Sequence, residues 1–284
     1  MSVEYTNDRS QVATPPAFTK IKTTKRAAGE VQHINNDSLS GIEIASGSIP
    51  GQSLVHKFGR NDNVPNGSWV FVSLTGMTGF GLAAATAVRV KAGGNAADTA
   101  TTGAGARTIV VQGIAADGSE QQETISLAGA SASAPTTLTF WRVHRAWVAT
   151  VGTYGVANTA NIVVESTGGV ALITISLGEG QTQKAAFTIP IGKTGYLLSA
   201  HVTVSTNKEA NIRCFTRADI MDTTAPMASK RLKLFWDGLS NGFAYKPFTP
   251  ELKIPALSDI WFEAYGDGAV SQVSVDFELL LVDD

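Results

Sequence analysis

The chain has one cysteine, Cys214, in 284 residues. A single thiol excludes an intrachain disulfide framework and any multi-cysteine metal site. Charge is scarce too: 16% of residues are Asp, Glu, Lys or Arg, against roughly 25% in an average soluble domain. The 22 Lys and Arg nearly cancel the 24 Asp and Glu, for a net charge of −2. That balance argues against general binding to nucleic acid or to an anionic membrane. The uncharged stretch from Ala146 to Val164 has the length of a bilayer span, but Gly152, Gly155, Asn158 and Asn161 break it, so it is rejected as one. The opening residues are polar, and no secretory signal is expected from them. No long segment carries a 3.6-residue apolar period, and no fixed-length repeat of the β-helix or propeller kind occurs.

Catalytic patterns are missing as well. His33, His56, His144 and His201 never fall at His-x-x-x-His spacing, and no Gly-x-Ser-x-Gly elbow exists. Gly79, Gly81 and Ala84 share letters with a dinucleotide fingerprint, yet no helix pattern follows to hold a pyrophosphate. The Gly103-to-Arg107 segment lacks the Lys-Ser/Thr ending of a phosphate loop. Cys214 sits on the apolar side of its strand and reads as a small buried hydrophobe. Asp259, Glu263 and Asp267 are near one another in sequence, and alternation puts Asp276 and Glu278 on one strand face. Such a pair reads as a solvated face rather than as two carboxylates set across a sugar. The expectation is a protein with no catalytic residue, no cofactor and no metal.

What the chain does contain is Gly, Ala, Ser and Thr in abundance, 43% hydrophobic residues, and short alternating segments. Strand candidates run through Trp69–Leu74, Ala87–Lys91, Arg107–Gly113, Glu123–Leu127, Trp141–Val148 and Asn161–Glu165. Asp117-Gly118 supplies the positive φ that a tight hairpin needs, and predicts a turn joining strands near 107–115 and 121–129. A second set begins near residue 168. Gln183–Ile191 and Gly195–Ser205 flank a Gly192-to-Gly195 turn, and Ala210, Ile212 and Cys214 share a face. In the last strand Val273, Val275, Phe277, Leu279 and Leu281 alternate with polar residues. Short strands punctuated every 8–12 residues indicate sandwiches or barrels. The expected fold is all-β: two β-sandwich or jelly-roll-like domains at 55–166 and 167–284, preceded by an extended N-terminal arm at 1–54.

Two groups are candidate contact residues. Lys20, Lys22, Lys25 and Arg26 put four positive charges in seven residues of the arm. An arm with Pro15 and Pro16 is no central strand, and its basic patch is expected to dock on a neighbouring subunit. Phe235, Trp236, Phe243, Tyr245 and Phe248 form the densest aromatic cluster, expected to serve packing or a contact surface. Stacking on a glycan is their alternative use, and its mark would be an open groove lined by these rings.

Several strings stand together in order. Val55 to Asn61 is followed by Gly103 to Gly113, Glu123 to Leu127, Trp141 to Val148, Gly180 to Pro190 and Gly192 to Leu197. This order resembles a family of virion structural proteins of tailed bacteriophages, common in marine and other environmental phages. The resemblance covers roughly residues 55–284 and brings no catalytic motif. It implies a non-enzymatic role in building the particle, with other capsid or tail proteins and further copies of the chain as partners, and a place in the virion. A compact sandwich with an anchoring arm favours a capsid-associated decoration or cement protein. A tail adaptor or fibre component is the alternative, and a glycan-binding host-recognition module is the rival of another class.

Overall fold

The computed structural model describes residues 22–26, 29–33, 39–74, 84–91, 96–205 and 207–284. The chain divides into two compact units, Met1–Pro50 and Gly51–Asp284. In the first, β1 (Lys22–Arg26) pairs antiparallel with β2 (Gly29–His33), and α1 spans Leu39–Ala45. Within the segment 1–54 expected as an arm, the described residues thus include a two-stranded hairpin and a two-turn helix. Thr23, Thr24 and Val31 favour strands, and the hairpin register sets Lys25 opposite Glu30. The helix has seven residues, two turns, too few to show a period in the sequence. It ends at Gly47, whose φ of 75° lets its amide reach back to the Ile44 carbonyl. Lys20, Pro15 and Pro16 lie outside the described residues, as do Gly79 and Gly81.

The unit Gly51–Asp284 is built from strands alone among its described residues. In chain order they are β3 (Gln52–Val64), β4 (Val70–Phe71), β5 (Thr86–Lys91), β6 (Ala106–Ile114), β7 (Glu120–Ser126), β8 (Thr139–Phe140), β9 (Arg142–Val151) and β10 (Ile162–Ser166). They continue with β11 (Ala171–Ile175), β12 (Ala186–Thr188), β13 (Lys193–Val204), β14 (Glu209–Arg217), β15 (Arg231–Ser240), β16 (Phe243–Ile254), β17 (Asp259–Asp267) and β18 (Ser271–Asp283). All named pairings are antiparallel, and the fold is all-β and sandwich-like, as expected.

The larger sandwich faces a four-stranded sheet, β16-β13-β18-β3, with a five-stranded one, β12-β17-β14-β15 plus β4 on β17. Period-two alternation aims Leu197, Ala200 and Val202 of β13 and Val273, Val275, Phe277 and Leu279 of β18 at Ile212, Cys214, Ile260 and Phe262. The Phe262 and Phe277 rings meet at 5.3 Å. Cys214 lies in this core, as expected, and burial pushes its thiol well up. The smaller sandwich joins β11-β10-β5-β8 to β7-β6-β9 around Val88, Val90, Ile109, Val111, Phe140, Ile162, Val164 and Ile175.

These cores do not follow chain order. β3 pairs with β18 from Gln52↔Val282 to Val64↔Ser271, so Val55, Val64 and Val72 pack with residues 185–281. Ile173 and Ile175 pack with residues 88–164. The smaller sandwich is inserted between β4 and β12, so each core draws residues from both sides of position 166/167. One glycine makes the return of β3 possible: a Cβ on Gly59 would lie 2.1 Å from the Ala185 nitrogen and 2.5 Å from the Val72 oxygen. The Asp117-Gly118 turn forms as predicted. Gly118 has a φ of 87°, and Ile114 pairs with Glu120.

A polar seam joins the two cores. Arg142 of β9 meets Asp259 of β17, and Thr188 donates to the same carboxylate at 2.7 Å. Lys57 and Lys184, both buried, donate to the backbone carbonyls of His144 and Val143 at 2.8 Å each. Burial holds both ammonium groups below their ordinary range, Lys184 at about 7. The buried His144 ring lies 4.7 Å from Phe187, and neither of its nitrogens has a hydrogen-bond partner. Burial, then the nearby Lys57, Lys184, Arg145 and Arg142, push its pKa well down. At the hairpin tip Ile191 donates its amide to the Gly118 carbonyl at 2.9 Å.

Candidate functional site

The five aromatics singled out in the sequence do not form one surface. β15 and β16 connect through Asn241, which takes a φ of 49°, and alternation then sends the rings to different sides. Trp236 and Phe248 pack against the larger core. Phe235, 49% exposed, lies on the outer face of the five-stranded sheet, 6.1 Å from Trp69. Phe243 and Tyr245, 70% and 60% exposed, lie beside His201 at the edge of the four-stranded sheet, 5.5 and 6.5 Å from its ring.

The outer face of the five-stranded sheet carries a knitted cation–aromatic cluster. The Arg213 guanidinium sits 3.8 Å from the Trp69 ring centroid and 4.9 Å from that of Phe215. Lys230 covers Phe215 at 4.3 Å, and Trp261 stacks on it at 5.6 Å. Glu263 ties the group together: Arg213 donates to it at 2.8 Å and the Trp261 indole at 2.8 Å, with Lys230 at 3.6 Å. Tyr265 extends the face, 5.5 Å from Trp69. Arg213 is positioned by the β14–β17 register, which sets it opposite Glu263. Trp69 arrives from the segment that leads into β4. No local pattern in the sequence brings Trp69 to Arg213, since the two lie far apart in the chain.

The outer face of the four-stranded sheet is different in chemistry. Cross-strand register lines up Tyr245, His201, Asp276 and Phe58 in one row, and Pro247, Ser199, Glu278 and His56 in the next. Ser199 donates to Glu278 at 3.1 Å, and His201 Nδ1 lies 3.9 Å from Asp276. Among the described residues neither carboxylate has a Lys or Arg within ion-pair distance. Phe243 and Tyr245 wall a groove of roughly 400 Å³ over this floor. Asp276 and Glu278 thus share an outer face, as alternation requires.

The other carboxylates noted in sequence are dispersed. Asp259 is buried in the seam, Glu263 is on the five-stranded outer face, and Asp267 is exposed at the end of β17. Among the described residues no three His, Cys, Asp or Glu side chains are placed to hold a metal ion, and no helix is long and apolar enough to cross a membrane. Lys22, Lys25 and Arg26 lie on β1.

No protein-family model matches the sequence, and no curated protein is similar to it. Solved structures with some likeness include a chain from the structure of infectious bursal disease virus Gt strain, 10% identical, covering 83% of this chain and 74% of that one with a TM-score of 0.24. A chain from the Gx strain is 10% identical, with 82% and 71% covered and a TM-score of 0.25. A chain from infectious bursal virus derived T=1 particles is 10% identical, with 82% and 74% covered and a TM-score of 0.22. Overlays this loose establish neither a shared topology nor a shared role.

Proposed function

We propose that this chain is a non-enzymatic structural protein of a tailed-phage virion, a capsid-associated decoration or cement protein that works through contacts with itself and with other particle proteins. The observation that carries the reading is the outer face of the five-stranded sheet. Trp, Tyr and Arg dominate interface hot spots because they combine large apolar area with a polar tip. Here Glu263 fixes Arg213, Arg213 lies against the Trp69 ring, and Phe235 and Tyr265 flank Trp69, so part of the side-chain ordering precedes any partner and less entropy remains to be lost on association. Leu232, about half exposed and opposite Phe215 in the β14–β15 register, extends the apolar area. A specific contact buries on the order of 1,000 Å² or more.

The strings that resemble phage virion proteins support the same reading from another side. They map to β3, β6, β7, β9 and the β12–β13 segment, and supply the seam residues Lys57, Arg142, His144 and Lys184. In this chain, therefore, the strings that carry the resemblance also carry residues that join the two sandwiches. The test is antibody labelling of intact virions, combined with light-scattering mass measurement of the purified chain. Label on heads, and an oligomer that Trp69→Ala dissociates, is the expected result. Label on tails moves the assignment to an adaptor or fibre, and absence from particles overturns it.

A further inference from the structure

We propose that the groove on the outer face of the four-stranded sheet binds an uncharged saccharide. This goes beyond the virion reading and stands apart from it, because it uses the opposite face of the larger sandwich. A pyranose presents an apolar C–H face and a rim of hydroxyl donors. The groove offers the complement of both. Phe243 and Tyr245 supply two exposed aromatic rings on its lining, two residues apart on one side of β16, about 7 Å along the strand. Ser199, His201, Asp276 and Glu278 supply a floor rich in acceptors. A carboxylate accepts at about four lone-pair sites, so Glu278 keeps acceptor capacity beyond its bond from Ser199. Two negative charges with no Lys or Arg partner among the described residues repel uronic, sialic and sulfated sugars, which sets the class as uncharged.

A peptide fits less well. β13 and β18 form the floor, and each is paired on both sides, so the floor has no free backbone ladder. At the open edge, Pro247 and Pro250 of β16 have no amide hydrogen to offer an added strand. The apolar part of the lining is aromatic, with no aliphatic side chain among the lining residues.

Calorimetry and saturation-transfer NMR on the full chain test the proposal, with maltohexaose, cellohexaose and chitopentaose as probes and polygalacturonate as the acidic control. At least one neutral probe is expected to bind at millimolar affinity or better. Tyr245→Ala and Asp276→Asn should each weaken it about tenfold or more, roughly 1.4 kcal/mol, with the far-ultraviolet circular dichroism unchanged. Tyr154→Ala removes an aromatic that is 103% exposed on the smaller sandwich and should leave binding intact. Failure of every neutral probe, equal binding of polygalacturonate, or binding indifferent to Tyr245 overturns the proposal. So does a change in oligomeric mass in Tyr245→Ala without any sugar effect, which would make the groove a protein contact. None of these results bears on where the protein sits in the virion.

Discussion

Arg142 and Asp259 form an ion pair between the two sandwiches, with side chains 5% and 2% exposed and a closest approach of 3.2 Å. Burial outweighs the guanidinium and lifts the Asp259 carboxyl above its ordinary range. Desolvation therefore absorbs much of the attraction, and the pair acts to register one core on the other more than to add net stability. Asp259→Ala should cost about 3–5 kcal/mol, because it removes the carboxylate that faces a buried guanidinium. In a double-mutant cycle, Arg142→Met with Asp259→Leu should cost much less than the two single changes together. Urea denaturation of the four proteins measures this, and additive losses would show that the pair is not coupled.

The buried Lys184 gives stability a pH dependence. Its pKa is about 7 in the fold against an ordinary 10.5, so between those values the unfolded chain holds a proton that the folded chain has released. Stability then rises with pH, by up to about 1.4 kcal/mol per unit for one proton. The contribution is complete above the unfolded pKa and lost as pH falls toward 7. Lys57 is shifted in the same direction. Lys184→Met should flatten the rise without abolishing it, as measured by denaturation midpoints at neutral and alkaline pH. An unchanged slope in the variant would mean that Lys184 does not titrate in this window.

Two glycines should respond differently to a side chain. At Gly59 the new Cβ meets backbone atoms of Ala185 and Val72, which cannot move without parting β3 from its neighbours. Gly59→Ala should cost about 3 kcal/mol or more. At Gly118 the nearest atom is the Leu257 Cδ2, 2.4 Å away, the end of a side chain that can turn aside. The remaining cost is the positive φ, and Gly118→Val should lose about 1–3 kcal/mol. Thermal denaturation ranks the two, and the reverse order would show that the strain at Gly118 dominates.

Deleting residues 2–50 should leave a folded, β-rich protein. The unit that remains begins at Gly51, whose carbonyl accepts the Asp283 amide at 2.8 Å. A deletion carried on through Val64 should unfold the larger sandwich, since it removes β3 from its long pairing with β18. Circular dichroism and proteolysis distinguish the outcomes, and loss of folding in the shorter deletion would place part of the leader in the core. If the basic patch at Lys20, Lys22, Lys25 and Arg26 docks on neighbours, the shorter deletion also lowers incorporation into particles, in a salt-sensitive way.

Most strands after residue 69 were legible because alternation is local. Val273 to Leu281 and Ala210 to Cys214 state which face is buried within a few residues. β3 escaped because its inward positions hold Val55, Lys57 and Gly59, a pattern with no apolar stripe. The start of β9 is misleading for the opposite reason: Arg142, Val143 and His144 are all buried, since it is covered on both faces. The aromatic cluster was legible as composition but not as a surface, because the turn at Asn241 and the alternation of β15 and β16 divide it between the core and two outer faces.

By itself, then, the sequence determined the all-β class, the Asp117-Gly118 turn, the burial of Cys214 and the shared face of Asp276 and Glu278. Each follows from the two-residue period of a strand or from the φ a residue tolerates, and both act over a few positions. Only the tertiary structure decided that β3 returns to β18, that Lys57, Arg142 and Lys184 lie inside, and that Trp69 meets Arg213. A charged residue's burial depends on the carbonyl or carboxylate that satisfies it. Lys57 finds the His144 carbonyl 87 residues away, and Arg142 finds Asp259 117 residues away. No local pattern encodes a partner at that distance, so the seam and the two outer surfaces exist only once the cores have closed.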